Sequence, residues 1–295
     1  MATVQDIQRR VRSVRNTSKI TKAMELVAAA KLRRAQTRIE AMRPFADRML
    51  ELMAGTARAS SSVRGLPLLQ RREVGTVAIV PLTGDRGLAG PFNGQILRRA
   101  FTLEQELRGE GKDVRWLVAG KKGRSTLRFR RYETVGAWEG FSDQPGYADA
   151  QTIAHRLAEL YTAGEVDRVV VVYNAFVSPL VQRVTEQDVL PIAENLLGND
   201  EEERREDALR GDFIYEPEPE QILERLLPVY LETELFRALL ESAASEQGAR
   251  MTAMRNASKN AGDLIDRLTL EMNRARQAEI TQEILEVVAG ADALT

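Results

Sequence analysis

The chain has 295 residues, 43% of them apolar, 29% charged and 5% aromatic. That is a length for roughly two compact domains, with few of the aromatic side chains that fill a single large core. It contains no cysteine and one histidine, His155, which excludes disulfides, thiolate chemistry and any Cys-based or multi-His metal site. The net charge of −1 conceals a division: residues 1–72 hold sixteen Lys and Arg against five Asp and Glu, and residues 199–224 hold eleven acids against three Arg. Asymmetry of this kind points to a partner surface or to another part of the same chain.

In chain order, a three-four spacing of small and apolar residues runs through Val4, Ile7, Val11 and Val14. Ser18, Thr21 and Glu25 interrupt it, and it resumes from Ala28 through Leu32, Ala35, Ile39, Met42, Ala46 and Met49 to Met53. Sustained over about seven heptads, this register predicts a coiled-coil helix rather than a globular one. Pro44 is expected to kink or locally reset it, and the pattern stops at Gly55. Within this helix NTSKITKAMELVAAAKLRRAQ (Asn16 to Gln36) is strongly basic and sets Ile20, Met24 and Val27 beside three alanines. A nucleic-acid arm, a coiled-coil strut and a shaft turning inside a partner all fit such a segment.

The middle of the chain has a different grammar. GTVAIVPL (Gly75 to Leu82), VRWLVAG (Val114 to Gly120) and DRVVVVYNAF (Asp167 to Phe176) are β runs. Helical stretches are expected at Phe92 to Arg108 and around Ile153 to Tyr161, with Val181 to Val189 as an edge strand. Near-continuous β-branched strands alternating with helices predict a small α/β sheet with parallel pairing. The loop TGDRGLAGPFNG (Thr83 to Gly94) lies where nucleotide-binding folds cradle phosphate. It matches neither G-x-x-x-x-G-K-[ST] nor a clean G-x-G-x-x-G, and VAGKKGRS (Val118 to Ser125) fails as well. A tight structural turn capping a helix, with Pro91 at its opening, is the better reading. No nucleophile-and-base set, carboxylate pair or metal spacing stands out elsewhere.

The acid-rich GNDEEERRED (Gly198 to Asp207) is expected to be a solvated loop, followed by a second long helix from about Gln221. Its seam runs through Met251, Met254, Ser258, Ala261, Ile265, Leu268, Met272 and Ala275. At Glu279, Gln282 and Glu286 the seam turns polar while Ile280, Ile284, Val287 and Val288 make a different face apolar. A helix that leaves one partner for a new apolar environment has this pattern. The two ends of the chain are therefore expected to pair as an antiparallel coiled coil. The division read from the sequence is 1–58, a coiled-coil helix; 73–192, a small Rossmann-like α/β domain; 193–215, an acidic linker; and 216–290, a second coiled-coil helix. No run approaches the roughly 18 apolar residues of a membrane span, and the N-terminus has no apolar signal core.

These segments carry a resemblance. SVRNTSKITKAMELVAAAKLRRAQ (Ser13 to Gln36), DRGLAGPFN (Asp85 to Asn93), VVYNAFVS (Val171 to Ser178) and LETELFRALLESAASEQGARMTAMRNASKNAGDLI (Leu231 to Ile265) resemble the gamma subunits of F-type ATP synthases. So does NRARQAEITQEILEVVAGADAL (Asn273 to Leu294), which holds the I-T-x-E-x-x-E-x-x-x-G-A signature of that family. The resemblance covers nearly the whole chain in family order. It implies a rotor shaft seated in a ring of alternating alpha and beta subunits, resting with an epsilon subunit on the membrane-embedded c-ring and coupling proton-driven rotation to the catalytic sites of the ring. It implies no active site and no cofactor in this chain, since ATP, ADP and Mg are bound by partner subunits, and a peripheral place on the cytoplasmic face of a bacterial plasma membrane. Residues matching the family's ring contacts are Lys19, Lys22 and Met24, Arg250 and Arg255, and Gln277, Thr281 and Glu283 of the terminal signature. The alternative is a basic coiled coil that binds nucleic acid, with affinity falling steeply in salt.

Two departures from the family stand out. Its loop usually reads G-L-C-G-G-[FY]-N, whereas Ala89 and Pro91 here replace the Cys and the second Gly, and Pro91 removes a backbone donor. The acid-rich segment near Gly198 lies where some photosynthetic relatives insert a thiol switch, which a chain without cysteine cannot operate.

Overall fold

The computed structural model describes residues 3–60, 65–193 and 216–292. The acid-rich stretch from Gly198 to Asp207 lies outside them. Two helices dominate, α1 (Val4–Ala59) at the N-terminal end and α5 (Pro219–Asp292) at the C-terminal end. Between them lie β1 (Thr76–Pro81), α2 (Phe92–Gly109), β2 (Asp113–Ala119), α3 (Lys121–Phe129), β3 (Thr134–Trp138), α4 (Tyr147–Thr162), β4 (Arg168–Phe176) and β5 (Gln182–Leu190). The chain divides into one unit of residues 1–29 with 250–295 and another of residues 30–249.

In the larger unit the five strands form one sheet in the order β3-β2-β1-β4-β5. β1 pairs in parallel with β2 and β4, β2 in parallel with β3, and β5 runs antiparallel along β4. A parallel sheet is covered on both faces, so β1 is buried at every residue from Val77 to Pro81. One face carries Val77, Ile79, Trp116 and Val118 against Phe92, Ile96, Ala100 and Leu107 of α2 and Leu127 of α3. The other carries Ala78, Val80 and Leu117 against Ile153 and Leu157 of α4, Met49 and Met53 of α1, and Leu223, Leu235 and Leu239 of α5. The α1 stripe thus persists past Gly55, with Thr56 and Ala57 buried. α1 remains one helix through Pro44 and α5 through Pro228, although each ring denies the helix one backbone bond. The sequence reading missed α3 and β3. β3 is a short edge strand without a run of buried residues, and α3 contains Gly123 and is mostly polar.

In the smaller unit α1 and α5 pair antiparallel. Ile7 and Val11 bury against Leu268, with Val14, Ile265, Met272 and Ala275 packed around them. This is the coiled-coil pairing that the sequence pattern implies.

Candidate functional site

All eight residues that match ring contacts fall in the smaller unit, so its surface is the candidate site. Its inner seam explains the interruption at Thr21 and Glu25. Thr21 is buried and shares a 2.7 Å hydroxyl hydrogen bond with Ser258 across the helix pair. One turn on, the Glu25 carboxylate accepts from Lys22 Nζ at 3.0 Å on its own helix and from Arg255 Nε at 3.0 Å on the opposite one. The Lys22 hydrogen bond first, and then that of Arg255, holds the Glu25 carboxyl below its ordinary value of 4.5. Polar pairs inside an apolar seam cost stability unless they meet, so they specify one register and one orientation. Partners across the pair carry numbers that add to 279 or 280.

That register also fixes what faces outward. Ile20, Leu26 and Val27 are exposed and Met24 is half-buried, giving α1 an outer apolar band beside its basic face. Lys19 is exposed. Lys22 and Arg255 keep most of their surface in solvent, 60% and 57%, although both are tied to Glu25. Arg250 is buried instead, so of the matched cations it is the one that the fold itself encloses.

Opposite Val4, where α1 begins, the register places about Ala275. From Gln277 onward α5 therefore has no stretch of α1 beside it, and roughly 24 Å of helix remains. Gln277, Thr281 and Glu283 are exposed there, with the Thr281 hydroxyl turned back onto the Gln277 carbonyl at 2.8 Å. The apolar residues of the segment are exposed too: Ile280, Ile284, Leu285, Val287 and Val288, with Val287 at 73%. The structure thus gathers Lys19, Lys22, Met24 and Arg255 around one polar layer, and sets Gln277, Thr281 and Glu283 apart on the overhang.

The glycine-rich loop of the larger unit behaves as a structural turn. Asp85 accepts backbone N–H bonds from Lys121, Gly140 and Ser142 at 2.9–3.0 Å. Burial pulls the Asp85 carboxyl upward, but these donors outweigh it and leave the group below its ordinary 3.8. Leu88 and Gly90 adopt positive φ, and Pro91 stands at the N-cap of α2. The crevice beyond the carboxyl ends of β1 and β4 is where open α/β sheets take ligands. Here α5 occupies it: Ser242 Oγ donates to the Leu82 carbonyl, and a Cβ on Gly84 would stand 2.7 Å from the Glu246 carboxylate. Asp143, in the loop before α4, accepts from Lys31 of α1 and from Gln247 of α5, and Arg38 donates to the Pro145 carbonyl. Sequence reasoning missed this gripping loop, because contacts between segments so far apart leave no local pattern. Among the described residues no group of three or more His, Asp or Glu is placed to hold a metal, and no helix is long and apolar enough to cross a membrane.

The ATP synthase family model matches residues 3–294. The ATP synthase gamma chain of Rubrobacter xylanophilus is 45% identical over 294 residues, covering 100% of this chain and 99% of that one. Those of Desulfitobacterium hafniense, 45% identical, and Nostoc punctiforme, 44% identical, are matched over their full lengths. Among solved structures, a chain of the central stalk and c-ring of Tetrahymena thermophila mitochondrial ATP synthase superposes with a TM-score of 0.59 and 27% identity, over 81% of this chain and 99% of that one. A chain of the Euglena gracilis mitochondrial enzyme gives 0.67 over 99% of this chain and 94% of its own, and at 18% identity speaks for the fold alone. On a full-length match of sequence together with an antiparallel helix pair and its α/β domain, the chain belongs to the family of ATP synthase gamma chains.

Proposed function

We propose that the chain works as the rotor shaft of a proton-driven ATP synthase and carries no active site of its own. Residues 1–58 and 216–290 form the shaft, residues 73–192 the foot, and residues 193–215 the link between them. ATP, ADP and Mg belong to the surrounding alpha and beta subunits. The foot, with an epsilon subunit, rests on the c-ring at the cytoplasmic face of a bacterial plasma membrane. The observation that carries this reading is the polar layer at Thr21, Glu25, Arg255 and Ser258. It locks the helix pair in register and leaves an outer surface of different character on each side.

A shaft acts on a catalytic site only by contacting its open and closed forms differently. The apolar band of Ile20, Met24 and Val27, the cations Lys19, Lys22 and Arg255, and the overhang with Gln277, Thr281 and Glu283 supply such an asymmetric surface. Arg250, enclosed by the fold, shapes that surface from within. On this reading the basic surplus of residues 1–72 meets acidic groups of the surrounding subunits.

Reconstitution with the alpha and beta subunits of the same organism tests it. One copy of the chain should enter each ring and raise steady ATP hydrolysis, and truncation before Gln277 should abolish the gain. Elution as a free chain with turnover unchanged would overturn the proposal.

A further inference from the structure

Glu25 stands out in the polar layer, because the shaft reading uses it only to hold the helix pair in register. Its side chain is 8% exposed, and each of its two oxygens is taken by a different cation, Lys22 through Oε2 and Arg255 through Oε1. Both cations extend into solvent on the surface assigned above to partner contact. A carboxylate buried in a helix seam is costly unless paired, and a second cation is more than pairing requires. The consequence of two is that a pair of outward-facing charges is anchored at one internal point. We propose that Glu25 is a positioning residue for the partner contact: it competes with acidic groups of the surrounding subunits for Lys22 and Arg255, so that the contact forms and then lets go. A turning part must break each contact it makes. An exposed ion pair is worth about 0.2–1 kcal/mol, and an internal competitor keeps the outward pair within that range. The inference rests on the assignment of Lys22 and Arg255 to the partner contact.

The test compares the reconstituted complex carrying Glu25→Gln with the unaltered one across a salt series. The substitution keeps the shape and removes the competing charge. Turnover should fall about threefold to fivefold at low salt, the effect of one exposed ion pair gained. It should converge with the parent by about 0.5 M salt, where screening acts over about 4 Å. Glu25→Asp should restore the parent salt profile. A deficit equal at all salt concentrations, or no deficit, would overturn the proposal, since lost helix packing is not repaired by salt. Lys22→Ala with Arg255→Ala separates the two levels. If the double variant leaves assembly and turnover untouched, the partner contact itself fails. If it impairs them while Glu25→Gln behaves as the parent, only the competitor role is lost.

Discussion

Asp85 shows how much one carboxylate can organise. Its two oxygens collect the first backbone N–H of α3 and two more from the loop after β3, and its own N–H donates to the Ser142 hydroxyl at 2.8 Å. The group is held below its ordinary 3.8, so its contribution is complete above that value and disappears as pH falls through the lower folded value. Asp85→Asn should therefore lower the thermal midpoint at neutral pH, and the gap to the parent should close below about pH 4. Melting curves over that range decide the matter, and a gap independent of pH would show that the carboxylate is not the source. In the sequence Asp85 was visible only as part of a family motif. Its donors lie 36 to 57 positions away, beyond any local pattern. Glu25 was visible as a break in the heptads, because a charged residue on an apolar stripe announces itself before its partner is known.

At the scale of elements, periodicity carried the most information. It gave both long helices, the seam residues and the change of face near Glu279, since a helix buried along one stripe must repeat every three to four residues. It failed for α3 and β3, where packing against larger neighbours replaces a strong pattern, and it could not see which segments α5 meets in the larger unit. The overhang yields a prediction. A helix of this length without tertiary packing is marginal in water. In the isolated chain, amides of residues 278–292 should exchange within seconds, while those of residues 230–249, in the helix stretch that packs on the sheet, stay protected for much longer. Exchange followed by mass spectrometry should show the first group becoming protected on assembly with alpha and beta subunits. Equal protection before and after assembly would mean that nothing encloses the overhang.

For the whole molecule, the exposed stripe of Ile280, Ile284, Leu285, Val287 and Val288 sets opposed demands on solubility and on function. Alone, such a stripe favours self-association; on the proposed shaft reading it is surface that the surrounding subunits would bury. Ile284→Lys with Val287→Lys should keep the isolated chain monomeric at higher concentration and reduce hydrolysis by the reconstituted complex severalfold, because burying an uncompensated charge is costly. Light scattering and phosphate release measure the two effects. Improved solubility with unchanged turnover would remove the stripe from the working surface.

The filling of the sheet crevice by α5 reaches further than packing. In a nucleotide-binding domain the occupant of that crevice arrives and departs, and its residence is set by concentration and affinity. Here the occupant is a stretch of the same polypeptide, with Ser242 and Glu246 in the guest's position. Its effective concentration is fixed by the chain that tethers it. Within the larger unit this stretch of α5 thus stands to the sheet as a tethered guest to its host. A crevice that in such sheets is open to a diffusing ligand is here closed by a covalently attached one.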